Sequence, residues 1–147
     1  TSSGTGEASV TDIWLENEAG EKVEMVNVGT AVTLRVRARI NAALPKLVLG
    51  YLIKDRLGQD MYGTNTYHMD QVLHDLRPGE EVDYRFAFPL NLGPGSYSVT
   101  TALTSTDTHL TDNYEWRDLA FLFIVMNMNR KLFVGCNWIE PSLRIER

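Results

Sequence analysis

The chain has 147 residues, of which 44% are hydrophobic and 22% are charged, a balance typical of one globular domain and not of a disordered chain. Its net charge of −5 argues against nucleic-acid binding, which needs a basic face to neutralise phosphates. The longest apolar run, Leu119 to Met126, is far shorter than the roughly 20 residues that span a bilayer.

The start of the chain is small and polar. We predict that residues 1–9 are a linker to an upstream domain that this sequence does not include, and that residues 10–147 form one β-sandwich domain. Cys136 is the single cysteine and therefore cannot form an intrachain disulfide, which favours a reducing compartment.

Alternation of apolar and polar residues with a period of two dominates the chain and predicts strands. It is clearest in Ala31–Asn41, where five apolar side chains from Val32 to Ile40 share one face. A helical turn is predicted over His68–Leu76. The predicted strands are, in order, Val10–Glu16, Ala31–Asn41, Leu47–Lys54, Met61–Gly63, Glu81–Phe88, Ser96–Thr106 and Trp116–Met128.

The tail, residues 129–147, is too apolar for a solvated terminus. Leu143 and Ile145 alternate with Arg144 and Glu146, which favours a last strand paired within the chain or with a neighbouring molecule.

Seven to eight strands, with turn signals about every ten residues, predict an all-β fold: an antiparallel immunoglobulin-like β-sandwich. Tyr97, at the start of a strand, resembles the corner tyrosine of such sandwiches.

Catalytic and metal-binding motifs are weak in this sequence. It has neither a G-x-x-x-x-G-K-[ST] phosphate loop nor a G-x-S-x-G nucleophile elbow. The histidines lack metal-ligand spacing, so we predict no metal and no cofactor; they are His68, His74 and His109. The carboxylates that could be paired for glycoside hydrolysis stand mostly in turns, where aspartate is common for conformational reasons; they are Asp55, Asp60, Asp70, Asp75 and Asp107.

Three arginines form a row on the polar face of one predicted strand: Arg35, Arg37 and Arg39. They could bind an anion or an acidic sugar. Pairing across the sheet with acids such as Asp83 is the commoner use of such a row, and we favour it.

The most unusual surface is the face opposite the core on three strands, because it carries few charges. Its residues are Gly50, Leu52, Lys54, Ser98, Thr100, Ala102, Thr104, Ala120, Leu122 and Ile124. Small, hydroxyl-bearing and aliphatic side chains on an outer face predict that something covers it, either a partner or a ligand. A sugar suits it, since hydroxyls need polar partners and the C–H face of a sugar stacks on aromatic rings. The predicted carbohydrate-binding residues are Lys54, Asn65, Tyr67, Thr100, Thr104 and Trp116.

Several segments in order resemble the C-terminal carbohydrate-binding domain of the nucleotide-binding subunit in bacterial ABC transporters that export O-antigen polysaccharide (Wzt-type). The matching segments are 4–8 leading into 10–13, 50–55 with Gly58, 62–66, 92–97, 123–125 and 133–135. The resemblance covers nearly the whole chain.

The resemblance implies a non-catalytic, immunoglobulin-like domain that binds the finished O-antigen polysaccharide, often through its modified non-reducing end, before export. It also implies a homodimer with an exchanged C-terminal strand. An upstream ATPase domain would contact the transmembrane transporter subunit, so the protein would be cytoplasmic and peripheral at the inner membrane.

Two other functions remain open from the sequence. The unusual face could be the interface of a structural dimerisation domain that does not contact glycan, or the domain could be a sugar-active enzyme. Titration with the exported polysaccharide distinguishes a dimerisation domain from a glycan-recognition domain. Recovery of intact glycan after long incubation counts against a sugar-active enzyme.

Overall fold

The computed structural model describes residues 2–106 and 113–147, which form eleven strands and no helix. Thr1, Asp107 and His109 lie outside the described residues. The strands are β1 Ser2–Ser3, β2 Ala8–Glu16, β3 Lys22–Val23, β4 Met25–Asn27, β5 Ala31–Ile40, β6 Leu44–Asp55, β7 Asp60–Asn65, β8 Leu73–Leu76, β9 Glu81–Pro89, β10 Gly95–Thr104 and β11 Asn113–Met126.

The strands form two sheets. One follows the order β1-β11-β10-β6-β7, with β4 beside β11 and β8 beside β6, and the other follows β3-β2-β5-β9. All of these pairs are antiparallel except β4 with β11. In the described part of the chain, no helix is long and apolar enough to cross a membrane.

The predicted all-β sandwich is confirmed, and the seven long strands correspond to the seven predicted ones. The strands that the sequence did not indicate are short: β1, β3, β4 and β8. The predicted helical turn over His68–Leu76 is wrong, because its second half is β8, which pairs with Leu44–Leu47. Leu73 and Leu76 are three residues apart, a spacing that imitates a helical period.

The core lies between the sheets and is built from alternate residues. The five apolar residues of β5 that were predicted to share a face are at most 3% exposed: Val32, Leu34, Val36, Ala38 and Ile40. The Tyr97 hydroxyl donates a 2.6 Å hydrogen bond to the Gly93 carbonyl oxygen, four residues upstream. This contact agrees with the predicted corner tyrosine.

Two of the three arginines in the row form ion pairs, in line with the prediction. Arg37 Nε lies 2.9 Å from an Asp83 carboxylate oxygen, and this hydrogen bond holds the pKa of Asp83 below its ordinary range. Arg35 contacts the Glu16 carboxylate at 3.0 Å. Arg35 and Arg37 thus make this an ion-paired outer face of the smaller sheet.

The start of the chain packs on the larger sheet. Ser2 and Ser3 pair with Arg117 and Trp116, and β2 begins at Ala8. The assignment of residues 1–9 as a linker to an upstream domain stays a prediction.

The tail returns to the sandwich only in part. Leu92 bridges to Asn137, and the Trp138 amide donates a 2.9 Å hydrogen bond to the Asn91 carbonyl. Beyond this point residues 139–147 form no strand within the chain, and Leu143 and Ile145 are 83% and 74% exposed. Exchange of this segment with a second protomer stays a prediction.

The contact between Gly93 and the tail leaves no room for a side chain. A Cβ at Gly93 would overlap the Gly135 carbonyl oxygen, so Gly93→Ala is expected to displace the tail from Leu92 and lower the free energy of unfolding by about 1–3 kcal/mol. Chemical denaturation measures this. Gly50→Ala is the matched control, because its Cβ would lie an ordinary 3.4 Å from Asn65 Cβ. Equal stability of the two variants would contradict this account.

Candidate functional site

The outer face of the larger sheet carries a shallow groove. Register aligns Asn65, Gly50, Ala102 and Trp116 in one row across β7, β6, β10 and β11. Because neighbouring strands are about 4.8 Å apart, the row spans about 14 Å. Small residues therefore occupy its middle, and a polar and an aromatic side chain stand at its ends.

The first half of the groove is a concavity of about 220 Å³ beside Trp116, Asn65 and His68. Its floor is low because Gly50 and Gly63 have no side chains. A Cβ at Gly63 would lie 2.8 Å from Leu52 Cδ1, so a larger residue there would have to displace the Leu52 side chain.

The second half is a concavity of about 500 Å³ that includes Lys54, Ser98, Thr100, Asp118 and Leu122. Thr100 borders both concavities, and its hydroxyl donates a 3.2 Å hydrogen bond to the Asp118 carboxylate. Lys54 Nζ lies 3.9 Å from the same carboxylate. A donor and an acceptor of opposite charge thus face the centre of the groove.

The structure brings together four of the six predicted carbohydrate-binding residues along this groove: Lys54, Asn65, Thr100 and Trp116. Tyr67 lies on the turn after β7, half exposed, with its ring 5.9 Å from that of His68. Thr104 is buried, and its hydroxyl donates to the Thr106 carbonyl. These last two residues line neither concavity.

The sequence reasoning missed Asp118. Aspartate is depleted in strands, so a carboxylate inside the predicted strand Trp116–Met128, directly before its apolar run, was a usable signal. Its position over Thr100 depends on an irregularity in β11 that the alternation pattern does not reveal.

Of the carboxylates that the sequence offered for catalysis, Asp55 borders the second concavity. The Asp55 carboxylate accepts hydrogen bonds from the amides of Leu57 and Gln59, both at 2.9 Å, and so closes the β6–β7 turn. Within residues 2–106 and 113–147, no three or more His, Cys, Asp or Glu side chains are grouped to hold a metal ion.

Another cavity, of about 390 Å³, opens between the sheets where β7 and β9 form their edges. Its lining is mostly apolar and includes aromatic side chains of the core: the Tyr51 ring lies 4.8 Å from that of Phe86. Burial, with a smaller effect of Tyr62, raises the pKa of Tyr51 to about 12. Tyr51 is therefore neutral near pH 7 and acts as a packing residue.

Comparison with known proteins identifies relatives of this sandwich. A family model of the Wzt C-terminal domain matches residues 1–139. The crystal structure of the C-terminal domain of Wzt matches with a TM-score of 0.86 at 18% identity, covering 99% of this chain and 88% of that chain. A Niemann-Pick type C2 protein from the Japanese carpenter ant matches with a TM-score of 0.58 at 8% identity, covering 86% of this chain and 98% of that chain. No curated protein sequence matches the chain.

Proposed function

The chain belongs to the Wzt C-terminal domain family of ABC transporter subunits, and on that premise we propose that it is a non-catalytic glycan-recognition module. Its ligand is the O-antigen polysaccharide, bound at the modified non-reducing end before export. The supporting observation is the groove between Asn65 and Trp116, which lies on the outer face of the sheet and has a floor of glycine and alanine.

The chemistry of the groove suits a sugar. The indole of Trp116 offers an apolar surface for the C–H face of a pyranose. Lys54 donates hydrogen bonds and the Asn65 amide both donates and accepts them, as sugar hydroxyls require. Each such bond replaces one to water and contributes only about 1 kcal/mol net, so affinity rests on several contacts and is modest.

Membership of the family supports the partners that we propose. An ATPase domain upstream of the linker at residues 1–9 connects this domain to the transmembrane subunit, at the cytoplasmic side of the inner membrane. A second copy of the chain forms a homodimer through the C-terminal segment, whose apolar side chains Leu143 and Ile145 are exposed in the single chain.

One observation favours the alternative of a dimerisation domain without glycan contact. Apolar side chains continue from the groove towards β4 and are exposed: Met25, Leu119, Leu122 and Ile124. A protomer seated on this patch would bury it. In that case mutations in the groove would change the oligomeric state and not the affinity for glycan.

Titration of the purified domain with polysaccharide from the strain that encodes it tests the proposal. We expect saturable binding, and we expect Trp116→Ala to weaken it by about tenfold or more, because the stacking surface is lost. Trp116→Phe keeps an aromatic face and should retain most of the affinity.

Two results would contradict glycan recognition. One is the absence of saturable binding by a folded wild-type domain. The other is equal affinity of Trp116→Ala and the wild type, with a changed oligomeric state in the variant. Shortening of the polysaccharide after long incubation would instead indicate a sugar-active enzyme.

A further inference from the structure

Strand β11 is irregular where it passes the centre of the groove. Val99 pairs with Phe121 and Thr101 pairs with Arg117, so Thr100 alone stands opposite the three residues 118–120. Leu119 has a φ of 51°, in the left-handed region that a bulky side chain rarely adopts. The segment is therefore a β-bulge with a strained leucine.

Packing does not account for this strain, because Leu119 is 64% exposed. Strained backbone that gains no burial is typical of functional positions. The residue that the bulge displaces is its neighbour, Asp118.

The bulge holds the Asp118 carboxylate over the middle of the groove. One of its oxygens accepts the 3.2 Å hydrogen bond from Thr100 and lies 3.9 Å from Lys54 Nζ. The Asp118 side chain stays 46% exposed. A carboxylate has about four acceptor sites, so it retains capacity for hydroxyl groups of a ligand.

We infer that Asp118 is a specificity-determining residue of the groove and that, together with Lys54, it binds two adjacent hydroxyls of a neutral sugar. This inference rests on the proposed function. The carboxylate accepts hydrogen bonds from both hydroxyls, and the ammonium donates one to a hydroxyl oxygen. The site therefore uses the hydroxyls both as donors and as acceptors. Hydrogen bonds to charged groups are stronger than neutral ones.

The same carboxylate disfavours an anionic sugar at this point. A phosphate or uronate next to Asp118 would meet a like charge at short range, and the carboxylates of Asp55 and Asp118 match the positive charges of Lys54 and Arg56 around the same concavity, so no excess positive charge is left to bind an anion. The subsite therefore selects a neutral residue with a free pair of adjacent hydroxyls.

Asp118→Asn tests this inference, because the amide keeps the shape and an acceptor for Thr100 but loses the charge. Titration with the native polysaccharide is expected to show about tenfold weaker binding than the wild type. Asp12→Asn is the matched control, since Asp12 faces Lys22 at 4.0 Å on the other sheet, and it should bind like the wild type.

Periodate, which cleaves the bond between carbons that carry adjacent free hydroxyls, supplies the second arm. Oxidised polysaccharide should bind the wild type at least as weakly as native polysaccharide binds Asp118→Asn, because cleavage removes the adjacent hydroxyls and also opens the ring that stacks on Trp116. The loss on oxidation should be smaller for Asp118→Asn than for the wild type, since the variant has already lost the contact with the hydroxyls. Full affinity of folded Asp118→Asn for native polysaccharide, or additive losses, would overturn the inference and leave glycan recognition intact. A wild-type domain that binds no polysaccharide overturns both.

Discussion

Arginine in place of Thr100 is expected to abolish polysaccharide binding. Thr100 borders both concavities on the outer face of the larger sheet, so a long side chain there would fill the floor that a sugar ring needs. The guanidinium would also pair with the Asp118 carboxylate, which lies next to the Thr100 hydroxyl. We expect affinity to fall by about a hundredfold or more in a titration of the purified domain.

Thr33→Arg is the matched control for this variant. Thr33 lies in β5, on the ion-paired outer face of the smaller sheet, so the substitution adds the same bulk and charge away from the groove. It should bind polysaccharide like the wild type. If both arginine variants bind equally well while folded, the groove is not the binding site.

Deletion of residues 139–147 is expected to convert a dimer into a monomer. Within the chain these residues form no strand, and three apolar residues among them are largely exposed: Ile139, Leu143 and Ile145. Burial of each would contribute about 1.5–3 kcal/mol, so their loss should raise the dissociation constant of the dimer by at least about a hundredfold. Sedimentation equilibrium over a range of protein concentrations measures this.

Substitutions within the tail test which of its two faces contributes to dimerisation. The double variant Leu143→Asp with Ile145→Asp should dissociate the dimer. Arg144 lies on the opposite face of the predicted strand, so Arg144→Asp should leave the dimer intact. A wild-type chain that is monomeric at tens of micromolar, or a truncated chain that dimerises equally well, would contradict strand exchange.

Local sequence patterns were sufficient to predict the β-sandwich fold. The alternation in Ala31–Ile40 indicated both the strand and its buried face, because side chains of a strand point to opposite sides in turn. The corner tyrosine was recognisable because Tyr97 follows a glycine turn at the start of β10. Local patterns failed at His68–Leu76, where the spacing of two leucines resembled a helix, and at the short strands, which are too brief to show a period.

For the site, the sequence alone determined which strand faces carry small and hydroxyl-bearing residues, and hence that the face with Gly50 and Thr100 is unusual. Only the tertiary structure decided which of these residues meet. Inter-strand register aligned Asn65, Gly50 and Trp116, and packing buried Thr104. The bulge at Leu119 brought Asp118 to Thr100. The physical reason is that register and bulges are set by pairing between distant segments, whereas alternation is a property of each strand alone.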